Sequence, residues 1–260
     1  MNNEEKTKNL ISHGGDLAGS AIGGALGFFA GGPILAGVGA AVGTFLGKTF
    51  ISIGADIHDS YLSPKEEVRI GAATAIALSD INKKLLSGQE IRNDSFYQGS
   101  DNKRSDAEDI LEGTLLKCKA AYEERKVQHA GKFFSNISFD KEINSQMACY
   151  FLQVFEKLTY RQLCLLNVFN RVGNQLRTTS LKGIRTGGEL WWILQEIQEL
   201  KDLNLIYQTD GNQKPTMVWG LGELVPSYLY ATTLGISFHK LFDINSINDD
   251  ELNEIVRLLS

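Results

Sequence analysis

The nearest match to a known chemical motif is the glycine-rich stretch GTFLGKT at residues 43–49. A phosphate-binding loop needs four residues between its glycines, so that backbone N–H groups and the lysine can surround the phosphates. Here only three residues separate Gly43 from Gly47, and no β-branched strand precedes them. The pattern therefore favours Lys48 as a lysine at the end of an apolar helix.

Histidine, serine and cysteine patterns also fail to form a catalytic or metal-binding motif. The tetrapeptide DIHD at residues 56–59 places carboxylates beside His58, but no second ligand follows at helical spacing. The chain has no G-x-S-x-G sequence, and its thiols have no evident histidine partner. We therefore predict no enzyme activity, no catalytic residue, no metal, no cofactor and no small-molecule substrate.

The composition is that of a folded, acidic protein. A chain of 260 residues that is 43% hydrophobic and 22% charged can form one large domain or two small ones. The net charge of −5 disfavours a general nucleic-acid binder, which needs excess Lys and Arg. Cys118, Cys149 and Cys164 lie in apolar helical patterns, which predicts reduced core thiols in a cytosolic protein. The first residues lack the pattern of a secretion signal.

A long apolar segment near the start of the chain has no charged side chain between Asp16 and Lys48, and its glycines recur every four residues. In a helix such positions form one stripe, which lets a second helix approach closely in lipid. In water each of these glycines costs about 0.5–1 kcal/mol relative to alanine. We therefore predict that this glycine-rich segment associates with membrane lipid and with copies of itself. The predicted membrane and oligomerisation residues are Gly15, Gly19, Gly23, Gly27, Phe28, Phe29, Gly31, Pro33, Gly39, Gly43 and Gly47.

The sequence GGP at residues 31–33 divides the glycine-rich segment into two arms. A single membrane-spanning helix needs about 20 apolar residues, which the first arm does not reach. The second arm, residues 34–55, is long enough if Lys48 extends its ammonium group to the membrane interface. We expect an apolar helical hairpin, and the sequence leaves open whether it enters a bilayer or packs against the rest of the protein.

Capping patterns and apolar spacing predict a helical body after the glycine-rich segment. Three helix starts carry Ser or Thr followed three residues later by Glu or Gln, the signature of a capping box. The polar stretch at residues 88–104 is predicted to be a surface loop. The predicted helices begin at or near Ser63, Ser105, residue 143, Thr159, residue 189 and Asn248.

Two short β-like runs, residues 205–209 and 216–221, follow the predicted helix at 189–203. Three helices followed by a β-hairpin is the order of a winged helix. A DNA-binding version carries basic and polar residues on its third helix, whereas this helix has four acidic residues and only Lys201 as a cation. We therefore predict protein contacts and disfavour DNA. The predicted partner-binding residues are Trp191, Trp192, Arg161 and Arg171.

These patterns together predict a mainly α-helical protein. It consists of an N-terminal glycine-rich apolar helical hairpin, a helical body and a C-terminal winged-helix-like module with a short β-hairpin. The expected boundaries are residues 1–62, 63–140 and 141–260.

Four stretches of the chain resemble bacterial abortive-infection and phage-defence proteins of the Abi-alpha-like group. They are FFSNIS at 133–138, FEKLTYRQLCLLNVF at 155–169, LKDLNLIYQ at 200–208 and TTLGISFHKLF at 232–242. The similarity lies in the order of elements, which ends with an L-x-x-L-g-L-I segment and a T-x-x-G turn into a helix. It covers about residues 64–245 and does not include the glycine-rich segment. The resemblance implies an anti-phage or cell-suicide role in which a sensor body controls a membrane-active segment.

Two functions are consistent with these features. The first is a cytoplasmic effector that moves to the bacterial inner membrane after a trigger, for which a phage protein is a candidate. Its apolar hairpin, too large to leave in water, would then insert, oligomerise and permeabilise the membrane. The second is a cytosolic winged-helix-like adaptor or regulator that binds a protein partner and keeps the hairpin in its core.

Overall fold

The computed structural model describes residues 44–58, 62–100, 103–171, 175–183, 187–212 and 220–260. Within these ranges the protein is mainly α-helical with one two-stranded antiparallel sheet, which confirms the predicted fold class at that level. The chain divides into two compact units, unit 1 up to Lys157 and unit 2 from Leu158 to Ser260. The helices are α1 (Thr44–His58), α2 (Pro64–Leu86), α3 (Asp106–Ala120), α4 (Lys126–Ile137) and α5 (Ser145–Lys157) in unit 1, and α6 (Tyr160–Asn170), α7 (Glu189–Asp202), α8 (Thr233–Leu241) and α9 (Asp249–Leu259) in unit 2.

The predicted capping boxes are confirmed at the starts of α2, α3 and α6. At α3 the backbone N–H of Ser105 donates to Glu108 Oε2 over 2.8 Å, and the backbone N–H of Glu108 donates to Ser105 Oγ over 3.2 Å. Thr159 and Gln162 exchange the same two hydrogen bonds at α6. Each box satisfies N–H groups that the helix itself leaves free, and this fixes where the helix begins.

The core of unit 1 is built on the packing of α4 against α2. A Cβ atom on Gly131 of α4 would lie 2.6 Å from the carbonyl oxygen of Ala73 and 3.0 Å from Ile76, so only glycine permits this approach. The side chains of Phe133 and Phe134 on α4 are fully buried. No capping pattern in the sequence predicts this helix, because the residue before it, Arg125, makes no side-chain cap.

Two predictions in unit 1 need correction. The described part of the stretch at 88–104, residues 88–100 and 103–104, is a loop with a 3-10 turn at Ser95–Tyr97, but it is not wholly on the surface, since Arg92 and Phe96 are buried. The three cysteines are free thiols, yet Cys149 is exposed on α5, so the prediction of a core thiol is wrong at that position. Apolar neighbours in the sequence place it on a helix but do not fix which face it occupies.

Unit 2 is organised around α6, which contacts α7, α8, α9 and strand β2. Strand β1 (Ile206–Gln208) confirms the first predicted run, and it pairs antiparallel with β2 (Leu229–Ala231). Residues 216–219 of the second predicted run lie outside the described residues, so its pairing with β1 stays a prediction, and a 3-10 turn occupies Leu221–Glu223.

Two residues in the stretches at 200–208 and 232–242 have a backbone environment that explains their type. Asn204 ends α7 with a left-handed backbone (φ 56°), which suits the small residue of the L-x-x-L-g-L-I segment. Thr232 caps α8 by accepting a 2.9 Å hydrogen bond from the backbone of Gly235. A Cβ atom on Gly235 would lie 2.0 Å from the carbonyl oxygen of Leu205, so the T-x-x-G turn requires glycine there.

Candidate functional site

The C-terminal part of the predicted apolar arm forms helix α1, and one face of this helix lies in the core of unit 1. Leu46, Phe50, Ile53 and Ile57 are all buried, at the spacing of one helical stripe. The ring of Phe50 packs edge-on against Phe134 of α4, with centroids 5.5 Å apart and an interplanar angle of 85°. The helical body therefore holds the end of the glycine-rich segment.

Ion pairs reinforce this attachment at the surface. Arg104 bonds to Asp56 on α1 and, over 2.7 Å, to Glu112 on α3. The charge of Glu112 is the main cause that raises the pKa of Arg104; burial opposes it, and the charge of Asp56 adds to the rise. Exposed pairs of this kind contribute little individually, so the apolar face supplies most of the attachment.

Among the predicted membrane and oligomerisation residues, Gly47 lies on α1, where it is buried. A Cβ atom on Gly47 would meet no heavy atom within 4 Å, so close packing does not require glycine there. The other predicted residues, from Gly15 to Gly43, lie outside the described residues. Within the described ranges, no helix combines the length and the apolar character needed to cross a bilayer.

Asp80, whose side chain is 12% exposed, joins α2 to α4. Asp80 accepts hydrogen bonds from Lys132 Nζ (2.5 Å) and Ser135 Oγ (2.7 Å), and Lys84 Nζ lies 2.9 Å away. Burial alone would raise the pKa of Asp80, but the hydrogen bond from Lys132 and the charge of Lys84 hold it below its usual value. Lys84 also donates a hydrogen bond to Ser135 Oγ, and a serine beside a lysine is a combination that can act as nucleophile and base. Ser135 is fully buried, however, so we interpret this cluster as one that holds the two helices together.

The predicted partner-binding tryptophans are exposed at the start of α7. Trp191 is 39% and Trp192 is 59% exposed, and their rings pack edge-to-face with centroids 4.7 Å apart. Gly188 is the N-cap residue before α7, and its positive φ of 62° turns the chain into the helix. The pair thus presents rigid aromatic area to solvent on unit 2.

Arg161, the third predicted partner-binding residue, is tied to α7 by two carboxylates. Its Nε donates to Glu196 over 2.5 Å, and its Nη1 lies 3.7 Å from Glu189. The hydrogen bond from Arg161 to Glu196 is the main cause that raises the pKa of Arg161. Glu189 and Glu196 lie three residues before and four after Trp192, so the ion pairs border the tryptophan pair on one side of the helix.

Arg171 is separate from that group, at the end of α6. Its Nε donates to Asn167 Oδ1 over 3.2 Å, and its Nη1 bonds to Asp249 in the first turn of α9. The buried amide of Asn167 also bonds to His239 and to the carbonyl oxygen of Ile244. Arg171 therefore contributes to the packing of unit 2, and the structure does not bring it together with Trp191 and Trp192.

Sequence patterns missed the buried guanidinium of Arg92. It donates to the carbonyl oxygens of Asp140 (2.8 Å) and Ile143 (2.7 Å), and it forms two parallel bonds with Asp94 at 2.8 and 2.5 Å. The guanidinium also lies 4.3 Å from the centroid of the Phe96 ring. The sequence signal that was available is the pair Arg92 and Asp94 with an aromatic residue two positions later, inside an otherwise polar loop.

A groove in unit 1 was also missed. It has a volume of about 380 Å³ and lies between the first turns of α3 and the outer face of α5. Cys149 is exposed as a residue, but partial burial of its sulfur in the groove wall, followed by the charges of Asp109 and Asp106, raises the pKa of the thiol, which disfavours a reactive thiolate. The groove is lined by Asp106, Asp109, Ile110, Ser145, Gln146, Cys149, Tyr150 and Gln153.

Comparison with known proteins identifies no relative. No protein-family model, no curated protein and no solved structure matches this chain. The resemblance to abortive-infection proteins therefore stays a prediction, which depends on the four stretches quoted above.

Proposed function

We propose that this protein is a bacterial anti-phage abortive-infection effector that permeabilises the inner membrane. In this proposal the glycine-rich hairpin inserts into the bilayer and oligomerises after a trigger, and the protein is cytoplasmic before that. The trigger acts on the folded body, and a phage protein is the proposed trigger.

The observation that carries the proposal is the continuity between the glycine stripe and α1. The stripe ends at Gly47, and from Leu46 onward the same helix contributes apolar side chains to the core of unit 1. Burial of each large apolar side chain stabilises a fold by about 1.5–3 kcal/mol, so four of them anchor α1 firmly. The glycine-rich segment, whose composition suits helix association in lipid, is therefore attached to the helical body, and in this proposal the body binds the trigger.

Control by the body follows from this attachment. A partner that shifts α2–α4 packing changes the surface on which α1 lies, because Phe50 contacts Phe134 of α4 directly. Movement of α1 would then be transmitted to the chain that precedes it. The differential affinity of the partner for the two arrangements supplies the free energy for release.

Fractionation of bacterial cells before and after phage infection tests this proposal. We expect the protein in the soluble fraction before infection and in the inner-membrane fraction afterwards, together with restriction of at least one phage in a panel. Salt and carbonate washes distinguish insertion from surface attachment, since inserted protein resists both. A protein that never leaves the soluble fraction while it restricts phage contradicts the proposal.

The exposed tryptophan pair favours a second candidate function, a cytosolic winged-helix-like adaptor that binds a protein partner through unit 2. Large aromatic side chains exposed on a rigid helix are typical of interaction sites. In this case Trp191→Ala with Trp192→Ala abolishes function, whereas substitutions in the glycine-rich segment do not. A titration with DNA across a salt series distinguishes a protein-binding adaptor from a DNA-binding one, because phosphate contacts make the affinity for DNA fall steeply with salt.

A further inference from the structure

The outer face of α5 has an unusual composition for a helix in contact with water. From Ser145 to Phe155 the helix carries no charged residue, although several of its side chains face solvent. Met147 is 41% and Tyr150 is 45% exposed. The exposed positions of this stretch, which we call the α5 face, are Gln146, Met147, Cys149, Tyr150 and Gln153.

This composition matches the centre of a protein interface. Solvent-facing helix surfaces are ordinarily rich in charged residues. The centres of interfaces are depleted of charge and enriched in tyrosine and methionine, and a charged rim surrounds them. The inner side of α5 already packs in unit 1 through Phe151, Leu152 and Phe155, so the α5 face is not needed for the core of that unit.

Charged residues border the α5 face at its two ends, with opposite signs. Asp106 and Asp109 lie beside its first turns, across the groove from Cys149 and Tyr150. Lys157 lies at the other end, two helical turns after Tyr150 on the same stripe. Within the described residues of unit 1, none of these three charges takes part in an ion pair.

We propose that the α5 face binds a second copy of this chain in a two-fold symmetric dimer. A two-fold axis near the middle of α5 makes the two copies of this helix antiparallel, as an isologous contact requires. Lys157 of the partner subunit then lies opposite Asp106 and Asp109, and the same pairing repeats on the other side of the axis. The negative end of each face meets the positive end of the other. This charge complementarity favours a second copy of the chain as the binding partner.

The dimer goes beyond the proposed membrane function, because it involves no residue of the glycine-rich segment. It pre-associates two copies of the body in the resting state. Self-association of the glycine stripes in lipid is a separate event with separate residues. The two contacts can therefore be tested one at a time in the full chain.

Sedimentation velocity of the full-length protein over a concentration series tests the proposal. We expect a monomer–dimer equilibrium that Tyr150→Glu weakens by about tenfold or more, because it places a charge at the centre of the contact. Tyr122→Glu is the matched control, since Tyr122 is another exposed tyrosine of unit 1, 84% exposed and outside the α5 face. The control should dimerise like the unsubstituted protein, and far-UV circular dichroism should show that all three are folded.

A charge reversal provides the second arm. Lys157→Glu alone and Asp106→Lys with Asp109→Lys alone should each weaken the dimer, and all three changes together should restore it. A protein that sediments as a monomer throughout the series overturns the proposal. So does an oligomer that Tyr150→Glu and Tyr122→Glu affect equally, or one that the combined charge reversal does not restore. None of these results bears on membrane insertion, which is measured separately.

Discussion

The ring of Phe50 packs edge-on against the ring of Phe134, with their centroids 5.5 Å apart. This contact joins α1, the end of the glycine-rich segment, to α4, the helix with the most deeply buried phenylalanines of unit 1. The end of the glycine-rich segment is therefore part of the packed core of unit 1. The pair also identifies the residue whose removal should loosen that attachment most directly.

Replacement of Phe50 by alanine should destabilise unit 1 by about 3–5 kcal/mol, the usual cost of deleting a buried phenylalanine. Urea unfolding followed by far-UV circular dichroism measures this change. All three tryptophans lie in unit 2, so tryptophan fluorescence follows that unit independently. Lys48→Ala, on the exposed side of the same helix, is the control and should change stability by less than about 0.5 kcal/mol. Equal effects of the two substitutions would show that α1 is not anchored through Phe50.

Two glycines on helices of unit 1 should respond oppositely to alanine. Gly131→Ala brings a Cβ atom within 2.6 Å of the Ala73 carbonyl, so α2 and α4 must separate at a cost of about 1–3 kcal/mol. Gly47→Ala meets no atom within 4 Å and gains about 0.5–1 kcal/mol of helix propensity. Thermal unfolding of the two variants side by side checks the signs. A stabilising Gly131→Ala would mean that the two helices are not packed at backbone distance.

The buried guanidinium of Arg92 should be indispensable to unit 1. Arg92→Ala leaves the Asp94 carboxylate and the carbonyl oxygens of Asp140 and Ile143 without their donor, which should cost about 3–5 kcal/mol. Arg92→Lys should remain destabilising, because a lysine cannot reproduce the planar fork. Arg257→Ala, at an exposed position of α9, is the control for loss of a positive charge. If urea unfolding shows the same free energy of unfolding for Arg92→Lys as for the unsubstituted protein, the planar geometry of the Arg92 hydrogen bonds is not required.

Asp80 should make unit 1 sensitive to acid. Its pKa is lowered in the folded protein, so its stabilising effect is present above the unfolded value of 3.8 and is lost as the pH falls through the folded pKa. Asp80→Asn should therefore lower stability near neutral pH by about 1–3 kcal/mol and flatten the pH dependence below about pH 4. Glu90→Gln, at an exposed loop position, is the matched acid-to-amide control. Parallel stability curves for Asp80→Asn and the unsubstituted protein would contradict this role.

Helix starts were the part of the fold that local sequence fixes best. The reciprocal hydrogen bonds at Ser105 and Thr159 join residues three positions apart, so Glu108 and Gln162 predict them from the sequence. Helix α4 has no such signal at Arg125, and its position depends instead on the contact of Gly131 with α2, which comes from a distant part of the chain. The pairing of β1 with β2 was likewise not predicted, because it joins segments that are distant in the sequence.

The candidate site was predictable only in its composition. Spacing alone placed Trp191 and Trp192 at the start of a helix, and both are exposed. It did not show that Arg161 is held by Glu196 or that Arg171 bonds to Asp249, because these partners are far apart in sequence. Cys149 lies among apolar residues, and only the packed structure shows that it belongs to an outer face without charge.

Uptake of a membrane-impermeant dye by bacteria that express the protein during phage infection shows whether the glycine stripe acts in the inner membrane. The informative variant carries Gly23→Leu and Gly39→Leu on the stripe, and its matched control carries Gly24→Leu and Gly37→Leu off the stripe. Both pairs add the same two leucines to the same segment, so they differ only in which helix face becomes bulky. We predict dye uptake with the unsubstituted protein and the off-stripe control, and loss of uptake with the on-stripe variant. Equal uptake by the two double variants would contradict the claim that the glycine stripe associates in the membrane.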